Sequence, residues 1–281
     1  MLGHKLYQHF STRFETFATI RKPLASLKRF SFFDPTRVKE GVDLRRLENF
    51  SQALAWANPT VVINATGIIK QSKEASDPIP CLEINSLLPH RLALICQSEG
   101  IKLINISTDC VFSGSVGNYT EQSPMDAHDL YGQTKFLGEA QGKGVLTLRT
   151  SMIGRELETC YGLVEWFLAQ KGKQCQGFTK AIFSGFTTLA LCEVMAEIIT
   201  NHSDLTGLYH VSSEPISKYD LLQQVNEIYD LKVKIEKETT FVCNRSLNSS
   251  RFQRETGWQP TSWQTMITQM HQDPTPYDNW K

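Results

Sequence analysis

The chain has no Cys-x-x-Cys pair, no tandem repeat, no excess of either charge and no apolar run near the roughly 20 residues that a bilayer span needs. Each absence closes a class. The seven cysteines (Cys81, Cys96, Cys110, Cys160, Cys175, Cys192 and Cys243) are scattered, which argues against a zinc ribbon or a dithiol motif, and no metal is expected. An odd count without a secretion signal suits reduced thiols in the cytoplasm. The opening segment, residues 1–10, is mixed polar and lacks the apolar centre of a signal peptide. Lys and Arg number 29 and Asp and Glu number 29, so neither nucleic acid nor an anionic membrane is implied as a partner. At 281 residues the chain can build one large or two small domains with a substantial core.

What is present is an alternation. Residues 17–20, 60–64, 102–106 and 145–148 read as short apolar or β-branched strands. Residues 47–56, 85–98 and 131–140 between them read as helices, with Gly100 ending the second. Strands alternating with helices predict parallel pairing by right-handed crossovers, hence an α/β doubly wound sheet. After Arg149 the texture changes. Helices are expected at 162–170, 187–200, 217–229 and 263–270, strands at 208–211 and 231–235, and an irregular tail from Asp273 to Tyr277. The chain therefore divides into residues 1–150 and a smaller α/β part, residues 151–281, interleaved with the first.

Chemistry concentrates in two segments. Ser107-Thr108-Asp109 ends the strand at 102–106, and Tyr131-Gly132-Gln133-Thr134-Lys135 opens a helix. Residues i and i+4 share a helix face, so Tyr131 and Lys135 point the same way. A fixed ammonium favours the phenolate of tyrosine, whose unperturbed pKa is about 10. The phenol can then exchange a proton with a substrate oxygen near neutral pH, and Thr108 can hydrogen-bond that oxygen. Reduction of a ketone by a nicotinamide hydride needs this set, because the new alkoxide takes a proton.

These segments resemble the extended short-chain dehydrogenase/reductase superfamily, and within it the branch of dTDP-4-dehydrorhamnose reductase and related sugar-nucleotide enzymes. The likeness rests on Ile63-Asn64-Ala65-Thr66-Gly67, Glu83-Ile84-Asn85, Ile106 to Gly114, Tyr131 with Lys135, Leu148-Arg149-Thr150-Ser151, Gly207 to Val211, and Arg245-Ser246-Leu247-Asn248. It implies that Asn64, Ala65 and Gly67 line the cofactor, and that Asn85 holds a water beside Lys135 in a proton relay. A buried or capping amide is the other reading of Asn85. It also implies that residues 1–150 are a dinucleotide-binding domain and residues 151–281 mainly a substrate-binding part, and that the Rossmann-like sheet carries at its front a strand and a Gly-x-x-Gly-x-x-Gly turn around the pyrophosphate. Met1-Leu2-Gly3-His4-Lys5-Leu6 resembles the end of that turn, with Gly3 as its third glycine. The first strand and two glycines are then missing, as a truncated start would leave them, and dinucleotide affinity should suffer if the chain is complete.

Arg21 and Lys22 follow the strand at 17–20, where a basic residue accommodates the 2′-phosphate of NADP and an acidic one would bind the ribose of NAD. NADPH is expected, with NADH the second candidate. Asp43 and Leu44 resemble the segment at the adenine edge, one accepting the exocyclic amine and the other packing on the ring. For the substrate diphosphate, Arg149, Lys180, Arg245 and Arg251 are the available cations, with Arg245 in the best-matching segment; Arg149 reads equally as a buried ion pair. Asp109 joins Thr108 on the substrate side. Residues 180–187 resemble a loop running past the active site, and Trp258 and Trp263 read as core.

Cys110 stands where related dehydratases carry Glu and rhamnose-type reductases carry Tyr. A thiol there resembles the epimerase-reductase of GDP-fucose synthesis and is a plausible acid or base for protons α to a carbonyl. His128 and His210 are the candidates for the opposite face. A small thiol in a pocket wall is the plainer reading. The expected activity is NADPH-dependent reduction of a 4-keto-6-deoxy nucleotide sugar. An epimerase or epimerase-reductase using Cys110, and a non-catalytic regulatory subunit or fragment of the same fold, are the rivals. A homodimer through the Tyr131 helix follows only by analogy.

Overall fold

A computed structural model describes residues 1–280. In chain order the first half holds α1 (Leu2–Phe10), β1 (Ala18–Thr19), β2 (Val38–Lys39), α2 (Leu47–Ala57), β3 (Val61–Asn64), α3 (Pro78–Cys81), α4 (Leu88–Ser98), β4 (Lys102–Thr108), α5 (Leu130–Leu137) and β5 (Val145–Thr150). The second half holds β6 (Met152–Ile153), α6 (Leu163–Leu168), β7 (Gln174–Phe183), β8 (Phe186–Thr187), α7 (Thr188–Asn201), β9 (Gly207–His210), β10 (Ile216–Ser217), α8 (Lys218–Ile228), β11 (Lys234–Asn244), α9 (Ser250–Thr256) and α10 (Trp263–His271).

The main sheet is parallel in the order β3-β4-β5-β9. All seven residues of β4 are buried, as a central parallel strand covered on both faces requires. Side chains alternate, so Leu103 and Val145 enter a cluster with Phe50, Leu88 and Leu92 on one face. Ile104, Ile106, Leu146 and Leu148 enter the larger core on the other, with Leu2, Leu6 and Phe10 of α1 and most of α7. Helices therefore cover both faces, as a doubly wound fold demands. Each fully buried aliphatic here contributes on the order of 1.5–3 kcal/mol. Helix starts follow local capping chemistry: Asp129, Thr187 and Ser217 accept from the backbone N–H groups of Gly132, Ala190 and Asp220.

The sheet is not continuous. β1 and β2 pair with each other and form a separate two-stranded ribbon. β1 and β3 each pair on one side only, and both line a cavity of about 690 Å³ that also reaches Tyr7, Phe50 and Trp56. The expected strand at 17–20 shrinks to two residues, because a β-ladder with one neighbour orders little chain.

Other expectations are corrected. The strand expected at 231–235 begins only at Lys234, because Asp230 and Lys232 adopt left-handed backbone and turn the chain; β11 then runs to Asn244. Residues 180–183 and 186–187 are strand rather than loop, since β7 pairs with both β10 and β11 and β8 pairs with β6. The helix expected from Asn85 begins inside a π-turn over residues 82–87, which joins α3 to α4. The tail closes in a short 3₁₀ turn, Tyr277–Trp280. There Tyr277 shares a hydrogen bond with the His4 ring at 2.9 Å. Trp263 is buried, and Trp258 packs edge-on against Phe186. Among the described residues, no helix is long and apolar enough to cross a membrane.

Candidate active site

β4 delivers Thr108, Asp109 and Cys110 to its end, where a 3₁₀ turn, Asp109–Val111, begins. The Thr108 hydroxyl accepts from the Cys110 N–H at 3.1 Å and donates to Asp109 at 3.2 Å. α5 seats directly on this turn because of Gly132: a Cβ there would lie 2.2 Å from the Cys110 carbonyl oxygen. Gly132, absent from the sequence-based set, thus brings Tyr131 against Thr108 and Cys110. The Tyr-Gly dipeptide is the signal that could have found it.

Burial raises the Tyr131 phenol well above its ordinary range, the nearby Cys110 and Asp109 add to the rise, and hydrogen bonding from Thr108 opposes it. Burial lowers Lys135 to about 8, against the pull of Glu139. Its ammonium donates to the Ile106 carbonyl at 2.6 Å. The sequence predicts a phenolate favoured by Lys135. Burial favours the neutral phenol and so opposes the effect expected of Lys135, whose ammonium is committed to the backbone.

Asn85 packs against α5, the helix that carries Lys135. Its amide accepts from the Ile68 N–H at 2.9 Å and donates to the Ile68 carbonyl at 3.0 Å and to Thr134 at 3.3 Å. It pins the loop after β3 to α5, the buried-amide reading. Gly67 faces Asn85, with 3.5 Å left for a Cβ, and lies outside the large cavity.

Cys110 lies 3.7 Å from an Arg245 guanidinium nitrogen, and Arg245 also donates to the Phe112 carbonyl at 2.8 Å. Burial and the Asp109 charge still push the Cys110 thiol up to about 12. Asp109 is itself raised by burial, with Lys218 and Arg245 opposing. Sequence reasoning misses Lys218, although it places a helix start at Ser217-Lys218-Tyr219-Asp220, where α8 begins. Of the other candidate cations, Arg149 is buried and bidentate to Glu139, both contacts at 2.6 Å. Arg251 donates to the Leu208 carbonyl at 3.1 Å, and Lys180 lies exposed on β7. His210 is fully buried between Arg149 and the Tyr119 carbonyl and lowered by burial to about 3, so it cannot work the opposite face; His128 is exposed.

The cofactor-side residues divide. Gly3, Leu44, Asn64 and Ala65 line the 690 Å³ cavity. Asn64 donates to Asn105 at 2.9 Å while accepting from Thr66, so it also shapes its own turn. Arg21 is exposed and makes no hydrogen bond or ion pair among the described residues. Lys22 is not free: it pairs with Glu158 at 2.6 Å. Asp43 is likewise taken by Arg45, whose hydrogen bonds lower its carboxyl to about 2.

The parallel sheet and the Thr108, Tyr131, Lys135 grouping at its ends define an extended short-chain dehydrogenase/reductase. Within that class the chain belongs to the family described as the RmlD substrate binding domain, whose model matches residues 1–275. A dTDP-4-dehydrorhamnose reductase of Streptomyces griseus is 36% identical over 88 residues, 31% of this chain and 29% of that protein. The match thus spans under a third of that relative's length. The spore coat polysaccharide biosynthesis protein SpsK of Bacillus subtilis is 25% identical over 228 residues, 76% of this chain and 80% of its own. A solved dTDP-4-dehydrorhamnose reductase of Bacillus anthracis, in complex with NADP, superposes with a TM-score of 0.75 at 19% identity, covering 92% of this chain and 98% of that one.

Proposed function

We propose that this protein is an NADPH-dependent reductase of a 4-keto-6-deoxy nucleotide sugar. The observation that carries the reading is the seating of Tyr131 against Thr108 with Lys135 on the same helix face. Bound reduced nicotinamide supplies the hydride. Gly3, Leu44, Asn64 and Ala65, which share one cavity, suit the dinucleotide, and the uncommitted Arg21 suits a 2′-phosphate. Thr108 orients the ketone oxygen. Tyr131 keeps its proton at neutral pH and gives it to that oxygen as negative charge develops there. Lys135, fixed by the Ile106 carbonyl, places a positive charge where the tyrosinate forms. Residues 151–281 serve as the substrate-binding part, with Arg245 meeting the diphosphate.

The epimerase reading is weaker. A thiol held near 12 is a poor base, and the described residues offer no buried histidine free to act opposite it. Titration with NADPH and NADH, followed by nicotinamide fluorescence, tests the assignment. Tight NADPH binding with weak NADH binding is expected. A folded sample that binds neither overturns the assignment for this chain in favour of a fragment or a non-catalytic relative of the same fold.

A further inference from the structure

One carboxylate from the second half of the chain reaches the end of β1. That end is fixed by its backbone: the Ile20 N–H donates to the Lys39 carbonyl at 2.9 Å, and the Ile20 carbonyl accepts from the Val42 N–H at 3.0 Å. Thr19 and Ile20 line the 690 Å³ cavity, so Arg21 and Lys22 follow at its lip. The chain then turns through a short 3₁₀ segment, Leu24–Leu27, and returns Arg29 beside Lys22. Glu158 joins the two. One of its carboxylate oxygens accepts from the Lys22 ammonium at 2.6 Å and the other from the Arg29 guanidinium at 3.0 Å. Arg29 is steadied by the Phe30 ring, whose centroid lies 4.8 Å from the guanidinium carbon. Arg21 makes no hydrogen bond or ion pair among the described residues.

Glu158 is not what shapes its own loop. A different carboxylate closes the loop between β6 and α6: Glu156 accepts from the N–H groups of Tyr161 and Gly162 at 2.8 Å and 3.1 Å. The loop also stands beside the cavity. A Cβ on Gly162 would lie 2.7 Å from the Met1 methyl carbon, and Gly3, in the first turn of the same helix, lines the cavity. The side chains of Lys22, Arg29 and Glu158 are 60%, 49% and 34% exposed, so their ion pairs can open without unpacking anything. Exposed pairs of this kind are weak.

We propose that Glu158 stands in for the 2′-phosphate of NADPH on Lys22 and Arg29, and gives both cations up when the dinucleotide binds. The charge count favours the exchange. Three cations share one carboxylate, whereas a phosphate monoester carries nearly two negative charges at pH 7 and three acceptor oxygens. It can engage Arg21, Lys22 and Arg29 together through charge-assisted hydrogen bonds. A 2′-hydroxyl carries no charge and does not compete with Glu158 for them. Glu158 is therefore a specificity-determining residue: it sets how strongly NADPH is preferred over NADH, and Lys22 and Arg29 join Arg21 as phosphate ligands. The proposal rests on the NADPH reading above.

The experiment titrates the full chain with NADPH and with NADH at low ionic strength, followed by nicotinamide fluorescence. Glu158→Gln should tighten NADPH binding by roughly 3- to 10-fold and leave NADH binding within about 2-fold of the wild type. The double variant Lys22→Ala, Arg29→Ala should weaken NADPH binding by about 10-fold or more. Adding Glu158→Gln to that double variant should bring no further gain, because the carboxylate then holds no cation to release. NADPH affinity unchanged in Glu158→Gln, a gain equal for both dinucleotides, or a gain that persists without Lys22 and Arg29 overturns the exchange and leaves the reductase reading intact. A folded wild type that binds neither dinucleotide overturns both.

Discussion

The two flanks of the molecule are built to different standards. On the acid/base flank, β4 and β5 are wholly buried, and Ser107, Glu139, Arg149 and His210 interlock beneath the Thr108 turn. On the cofactor flank, β1 and β2 have two residues each, their edge faces a cavity, and the polar groups at the strand ends pair across exposed surface. The difference teaches where order comes from. A strand with neighbours on both sides holds its end residues in one place. A ribbon with one neighbour leaves its end residues to whichever partner is near, as Lys22 and Asp43 show.

The contrast predicts a ranked set of effects. The largest is chemical: Tyr131→Phe should lower turnover by about 10³-fold with little change in melting temperature, because the ring packing is kept and only the proton is lost. Turnover near that of the wild type would remove Tyr131 from the mechanism. Next, Glu139→Gln leaves Arg149 buried without its charge partner and should cost about 3–5 kcal/mol in denaturant unfolding. A loss below about 1 kcal/mol would mean the network is not what stiffens this flank.

Truncation of apolar side chains sharpens the comparison further. Leu148→Ala, in the closed core, should cost about 3 kcal/mol, whereas Leu54→Ala, which already faces the cavity, should cost about 1 kcal/mol. Equal costs would indicate that the cavity collapses in solution. Arg21→Ala should cut the preference for NADPH over NADH by roughly 10-fold or more, and an unchanged ratio would leave the 2′-phosphate without this partner.

The smallest effect per step is on pH. Burial lowers His4 to about 2 and His210 to about 3, so both bind protons in the unfolded chain before they do in the folded one. Stability is therefore fully present above about pH 6.5 and falls as the pH drops below it, by up to about 1.4 kcal/mol per unit for each histidine. His4→Gln should flatten part of that slope. A slope unchanged in that variant would locate the acid sensitivity entirely on the other flank.

Much of the acid/base flank is legible in the sequence. Continuous β-branched strands, a helix opening on Asp129 and the Tyr131–Lys135 spacing are local signals, and the structure brings these residues together. What is not legible is what side chains do once buried. Tyr131 and Lys135 share a helix face, yet the Ile106 carbonyl takes the ammonium. The π-turn aims the Asn85 amide at Ile68, a contact that no local pattern announces. Residues 180–183 read as loop because the pairing that makes them strand, with β10 and β11, comes from residues distant in sequence.

The most direct measurement is the fate of the hydride. The full chain is incubated with NADPH deuterated at the transferring position and dTDP-4-keto-6-deoxyglucose in ordinary water. The account predicts deuterium at sugar C4, one equivalent for each NADPH consumed, and almost no reduced sugar formed by Tyr131→Phe over the same time. Exchange of solvent protons α to the ketone, with no NADPH consumed and no deuterium at C4, would contradict it.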